Sequence, residues 1–300
     1  MNTADVAFPH IGIYIPHLIK NISPFGFTIA IYGIIIAIGM IAGIVIARFV
    51  AKRTDQDPDF YSDFALWGIL FALIGARIYY IVFYPGQFQG ASFIDYIAIW
   101  NGGIALYIRG GGLAIYGGVI ASVITAIVYC RIKKYNFLLF ADTATCGLIL
   151  GQIIGRWGNF TNQEAFGSYT DSLLAMRLKT SNVNPSYITD EMLDNAVKYG
   201  SDTFIQVHPT FLYESLWNLI VLIIMLVYTG HKKADGEVFL IYLTGYGLGR
   251  FFIEGLRIDQ LKLFSTGIAV SQLLSLILVI CGIIAWIFLR VKKAKDKGQK

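Results

Sequence analysis

Among the charged side chains inside long apolar runs of this 300-residue sequence are Arg77, Asp142, Arg156, Glu214, Arg250, Glu254 and Arg257. Charge in such surroundings is expensive and marks either a buried pair or a functional path. At helical spacing Tyr246, Arg250, Glu254 and Arg257 fall at i, i+4, i+8 and i+11 and share one face, and Gln152, Arg156 and Asn159 share another. A rise of about 1.5 Å per residue puts Arg77 roughly 22 Å from Ser62, Arg156 roughly 27 Å from Leu138 and Arg250 roughly 20 Å from Glu237, which is one common layer. Three arginines at one depth carry excess positive charge, and a guanidinium fork matches a phosphate bidentately. Phospholipid head groups are the anions at that depth. The plain alternative is that Arg250 and Glu254 neutralise one another across a turn. Tyr116 falls in the same layer among the glycines of "RGGGLAIYGG" (109–118), which fit either a ligand close to backbone or tight helix packing. Asp142, near the opposite end, reads as a structural pairing.

The elements that position these residues are membrane helices. The chain is 56% hydrophobic, 15% aromatic and only 14% charged, with the apolar residues in runs, which excludes an ordinary soluble domain. Runs long enough for a hydrocarbon core of about 30 Å occur near 28–50, 62–84, 111–130, 138–158, 210–229, 237–257 and 266–289. The expected fold is therefore an all-α polytopic membrane protein with seven transmembrane helices. Fourteen of the 24 Lys and Arg lie after the first, third, fifth and seventh runs, at Arg48–Arg53, Arg131–Lys134, Lys232–Lys233 and from Arg290 onward. Short basic loops stay inside, so the N-terminus is expected outside, the C-terminus in the cytoplasm and the arginine layer toward the outer leaflet. The net charge of +5 reflects this bias and anionic lipid rather than nucleic acid.

Residues 1–27 lack a basic n-region and a cleavage site and read as a retained amphipathic lead-in. The chain divides into spans 1–4 with an aromatic interfacial segment at 85–110 (1–160), a small external head at 161–207, and spans 5–7 with a basic tail (208–300). The head carries six acidic and three basic side chains and is too small for a generous core of its own. Cys130, Cys146 and Cys281 are scattered within spans without ligand spacing, so neither a disulfide nor a metal site is expected.

Beyond composition, "GRWGNFTNQEAFG" (155–167) resembles the signature of the prolipoprotein diacylglyceryl transferases. Further similar stretches are "IYGIIIAIG", "GARIYYIVFYP", "LAIYGG", "FAD", "HPTFLYE" and "YGLGRFFIEGLRID". The resemblance implies transfer of diacylglycerol from phosphatidylglycerol to the lipobox cysteine of prolipoprotein signal peptides, without a cofactor, in the bacterial cytoplasmic membrane. Arg156 and Arg250 match the family's essential arginines, which are held to bind the lipid phosphate. Asn159, Glu164 and Gly167 match the rest of the signature, and Tyr246 and Glu254 the span 6 motif. Tyr32, Tyr80, Asp142, His208 and Arg257 coincide with supporting positions. Tyr116 stands where many members have a histidine considered as a base.

The implied reaction makes a thioether. It asks for an activated thiol, fixed cations for the departing phosphate, and a site with little water. Arg156 and Arg250 suit the second need, Arg77 belongs to the same binding layer, and Glu254, Tyr116 and His208 are the expected thiol-activating groups, in that order. A positive field alone is an alternative means of lowering the thiol's pKa. His208 before Pro209 also reads as an ordinary helix-opening residue. A transporter would need internal repeats, and a metal-dependent phosphatidyl transferase more carboxylates within the spans; neither is found.

Overall fold

A computed structural model describes residues 4–26, 28–83, 112–263 and 267–298. The interfacial segment expected at 85–110 lies outside the described residues. Among the described residues there are eight α-helices: α1 (Ile31–Arg53), α2 (Pro58–Phe83), α3 (Ile115–Ile132), α4 (Phe137–Asn162), α5 (Asp190–Asp194), α6 (Thr210–Thr229), α7 (Glu237–Glu254) and α8 (Val270–Gly298). Six of them, α1 to α4, α6 and α8, are long and apolar enough to cross a membrane, so the chain is a mostly helical, multi-pass membrane protein. The expected span at 237–257 forms α7, whose 18 residues include the charged Glu237, Arg250 and Glu254 and which is not among those six.

The expectation of an all-α chain is corrected. Seven short strands occur among the described residues: β1 (Val6–Phe8), β2 (Ile13–Ile15), β3 (Asn21–Ile22), β4 (Ile29–Ala30), β5 (Met176–Lys179), β6 (Val197–Tyr199) and β7 (Asp202–Val207). Five make an antiparallel sheet in the order β2-β1-β5-β7-β6, and β3 pairs with β4. The sheet joins strands from the start of the sequence to strands beyond its midpoint. Val6 pairs with Leu178, and Met176 with Val207. Asp5 accepts hydrogen bonds from the Leu18 amide at 3.0 Å and the Asn182 side chain at 3.3 Å.

The chain forms two compact units, one of Met1–Val50 with Ala141–Lys300 and one of Ala51–Phe140. The first has two cores. Val6, Phe8, Met176, Leu178, Ile205 and Val207 of the sheet pack with Phe160 at the end of α4 and Phe211 at the start of α6. Cys146, Ile149, Val221, Met225, Val238 and Ile241 fill the space among α4, α6 and α7. In the second unit α2 and α3 pack antiparallel, with Gly75 against Gly117. A Cβ at Gly117 would strike the Gly75 carbonyl and the Tyr79 side chain, so these glycines serve close helix packing. Phe60, Phe64, Tyr129 and Phe140 pack edge-on or tilted against one another at one end of this pair.

Candidate active site

In the first unit α4, α6 and α7 each contribute a charged side chain to one chain of ion pairs. Arg156 Nη2 on α4 lies 2.6 Å from Glu214 Oε2 on α6, and Arg250 Nη1 on α7 donates to Glu214 Oε1 at 2.7 Å. Arg250 Nη2 is also 2.7 Å from Glu254 Oε2, one turn along its own helix. Arg257 Nη1 approaches the same oxygen at 3.8 Å and makes a two-point contact with Asp259, at 2.9 and 2.7 Å.

Signs alternate along Arg156, Glu214, Arg250, Glu254, Arg257 and Asp259. Within this unit three guanidiniums meet three carboxylates, so Arg156 and Arg250, two of the three arginines expected to share a layer, carry no excess of positive charge here; the third, Arg77, belongs to the second unit. The pairing of Arg250 with Glu254 is present, but it is one link of a longer chain. The physical reason is that an unpaired charge in an apolar helix bundle is far costlier than a paired one. Glu214 is buried and the arginines nearly so, at 4%, 18% and 17% side-chain exposure for Glu214, Arg156 and Arg250. The Arg156 contact is too bent for a hydrogen bond, whereas the Arg250 contact to Glu214 is well directed.

The signature after Arg156 makes the corner between membrane helix and head. Helix α4 ends at Asn162, and the chain leaves it through Gln163 and Ala165, both left-handed at φ 56°. Such conformations are uncommon for residues with a side chain and persist where surroundings impose them. Here Glu164 Oε1 accepts from Asn159 at 3.0 Å and Asn162 at 3.3 Å, and its amide donates to the Asn159 carbonyl at 3.1 Å. The Thr210 hydroxyl at the head of α6 donates to the Ala165 carbonyl.

Gly167 and Ser168 then run between two other segments. The Gly167 amide donates to the His208 carbonyl, the His208 amide to the Ser168 carbonyl, and the Ser168 amide to the Leu256 carbonyl, at 3.0, 3.0 and 2.9 Å. Gly167 also forms a bridge with Arg257. A Cβ at Gly167 would meet the His208 Cβ and the Leu256 carbonyl, so only glycine lets the three backbones lie this close. His208 Nδ1 is 3.3 Å from the Tyr213 hydroxyl, and burial holds its imidazole below the ordinary histidine pKa.

Other expected residues fall around this frame. The Tyr32 ring on α1 packs against Gly158. Tyr246 stacks on Tyr242 with ring centres 5.6 Å apart, and the Tyr242 hydroxyl receives the Gln152 amide at 3.0 Å. Arg77, Tyr80 and Tyr116 belong to the second unit. There Arg77 is buried, donates to the Gly112 carbonyl at 2.9 Å and lies 5.7 Å from the Tyr80 ring centre. Tyr116 is exposed at the start of α3, 6.5 Å from the Tyr79 ring centre. Asp142 accepts from Lys232 at 3.0 Å and from the Gly236 and Phe239 amides, both at 2.9 Å, and so caps the start of α7.

Glu214 is the participant that sequence reasoning left out of the site. Its signal was present: it is the sole acidic residue of an otherwise apolar helix, with no basic residue of α6 to pair with. Asp259 was likewise missed, because it follows the last turn of α7.

A family model described as prolipoprotein diacylglyceryl transferase matches residues 20–288. A phosphatidylglycerol–prolipoprotein diacylglyceryl transferase of Oceanobacillus iheyensis is 41% identical over 259 residues, 86% of this chain and 83% of that protein. Its counterpart in Clostridioides difficile is 41% identical over 277 residues, 92% and 97% of the two chains. The transferase numbered 1 of Clostridium perfringens is 40% identical over 275 residues, 91% and 95%.

Proposed function

The chain belongs to the prolipoprotein diacylglyceryl transferase family, and from that premise we propose that the junction of α4, α6 and α7 performs the transfer. The protein moves the diacylglyceryl group of phosphatidylglycerol to a prolipoprotein. The acceptor is the thiol of the lipobox cysteine. Sulfur forms a bond to the glycerol carbon that bears the phosphate, the carbon–oxygen bond breaks, and its electron pair leaves on glycerol phosphate. The thiol proton passes to a base.

The observation that carries this reading is that Arg156 and Arg250, from different helices, meet on the single buried carboxylate of Glu214. A carboxylate and a phosphate offer guanidiniums the same planar pair of oxygens. Glu214 thereby sets the separation and facing of two cations before the lipid arrives. The bent contact to Arg156 is the weaker one and the one a phosphate oxygen replaces. Charge building on the departing phosphate meets donors already fixed in a site with little water, which is where preorganised charge lowers a barrier most. Glu254 is held between Arg250 and Arg257, so its role is to orient them. His208 is neutral near pH 7 and lies one backbone segment from Arg257, which makes it the proton acceptor in the first unit.

Asn159, Glu164 and Gly167 keep the corner that aims Arg156, while Tyr32, Tyr246 and Arg257 line the lipid site. Arg77, Tyr80 and Tyr116 belong to the second unit and are given no part in this junction. The finer topology is seven spans, α7 included, with the N-terminus and the head outside the cytoplasmic membrane and the site open to the outer leaflet. The alternation of basic segments supports it.

The test is purified protein in detergent with phosphatidylglycerol and a synthetic lipobox peptide, followed by mass spectrometry. A diacylglyceryl increment on a cysteine peptide and none on its serine counterpart is expected. No increment from folded, lipid-supplied protein would overturn the reading.

A further inference from the structure

The antiparallel pair α2 and α3 encloses a groove of about 520 Å³ that the transfer reaction does not use. It is lined by Trp67 and Phe71 of α2, by Ile124, Val128 and Tyr129 of α3, and by Lys133 just after α3. The volume lies within the roughly 300–1,000 Å³ of small-molecule sites. Trp67, Phe71, Ile124 and Val128 are exposed along it.

Two polar features break the apolar lining. The Tyr129 side chain is buried at 9% exposure, and its hydroxyl has no hydrogen-bond partner among the described residues. A buried hydroxyl left unpaired is destabilising and calls for an acceptor. The Lys133 ammonium lies 5.8 Å from the centre of the same ring, flanked in sequence by Arg131 and Lys134. Asp57 and Asp63 are the carboxylates within electrostatic reach of Tyr129, and Asp63 precedes Trp67 by one turn of α2.

We propose that this groove binds an anionic phospholipid. The acyl chain lies along Trp67, Phe71 and Val128. The phosphate sits at the Lys133 end, where that ammonium supplies charge and the Tyr129 hydroxyl donates. The Lys133 ammonium in the lining, with Arg131 and Lys134 beside it in sequence, selects a negative head group. The carboxylates suit one that also carries hydroxyls, which donate to Asp63. On the topology proposed above this end is cytoplasmic, so the groove takes an inner-leaflet lipid distinct from the substrate.

The test uses the full chain in phosphatidylcholine nanodiscs doped with a phospholipid carrying a photoreactive acyl chain, with either a phosphatidylglycerol or a phosphatidylcholine head group. After illumination, mass spectrometry locates the label. The phosphatidylglycerol probe is expected to label α2 and α3 around Trp67 and Val128 several-fold more than the phosphatidylcholine probe. Lys133→Glu should lower that labelling at least about fivefold, the worth of a single basic residue at an anionic lipid. Val128→Trp, which fills the groove, should abolish labelling with either probe. Equal labelling by the two head groups, or phosphatidylglycerol labelling unchanged in Lys133→Glu, would overturn the proposal. Lipobox-peptide turnover on the same preparations reports the transferase separately and should persist in Lys133→Glu.

Discussion

At Glu214 one buried carboxylate answers two guanidiniums, and substitutions there separate charge from shape. Glu214→Gln keeps the side-chain volume and removes the charge that spaces Arg156 and Arg250. Turnover of the lipobox peptide should fall by about 10²-fold or more, the usual loss when a preorganised charge is disordered or removed. Arg156→Ala and Arg250→Ala should lose at least as much while the protein stays folded, read as initial rates of the diacylglyceryl increment beside a thermal unfolding curve. Wild-type rates in either arginine variant would remove that residue from the chemistry. His208 yields a pH prediction. Its folded pKa is depressed from 6.5 by burial, so the unfolded chain binds the proton more readily. Stability from this residue is then full above about pH 6.5 and is lost as pH falls through the lower folded value. The unfolding midpoint of the wild type should drop more steeply below pH 6.5 than that of His208→Gln; parallel curves would contradict the assignment.

The helices follow from their sequences at the scale of the element, but how each is held depends on contacts far apart in the chain. The apolar runs near 62–84 and 138–158 became α2 and α4, each extending a few residues beyond its run. Helix α7 begins where the Asp142 carboxylate of α4 takes the Gly236 and Phe239 amides and the Lys232 ammonium, at 2.9 to 3.0 Å. Desolvation works against the Lys232 charge, but Asp142 and Asp235 outweigh it and raise its pKa. Asp142 is 2% exposed, so Asp142→Ala leaves the Gly236 and Phe239 amides unanswered and Lys232 with Asp235 as its remaining partner. It should destabilise by about 1–3 kcal/mol, seen as a lower unfolding midpoint. The strands were not legible in the sequence. They are two to six residues long, and β1 finds its partner β5 some 170 residues away, so no local period announces them. Gly167 shows the same dependence: Gly167→Ala should disrupt the Ser168 bridge between His208 and Leu256 and lower both unfolding midpoint and turnover.

The proposed topology decides, for the molecule as a whole, which solvent meets the head and which meets the tail. Single cysteines at Thr180 in the head, Lys233 between α6 and α7 and Lys292 near the end of α8 distinguish the alternatives, since the native cysteines lie within helices. With seven spans, a membrane-impermeant maleimide added to intact cells should label the Thr180→Cys protein, and should reach Lys233→Cys and Lys292→Cys only after permeabilisation. Labelling of Lys292→Cys without permeabilisation would mean that α7 does not cross.

Composition and run length alone determined that this is a multi-pass membrane protein, because a bilayer imposes one requirement on every spanning segment and each segment meets it locally. The signature around Arg156 likewise identified the family, since the residues that carry it are contiguous. Tertiary structure decided what those residues face. Glu214 answers both Arg156 and Arg250, and the N-terminal strands enter the sheet of the head. Asp142 serves α7, which begins almost a hundred residues later. Charge pairing and strand pairing act between residues adjacent in space and remote in sequence, so neither leaves a local pattern to read.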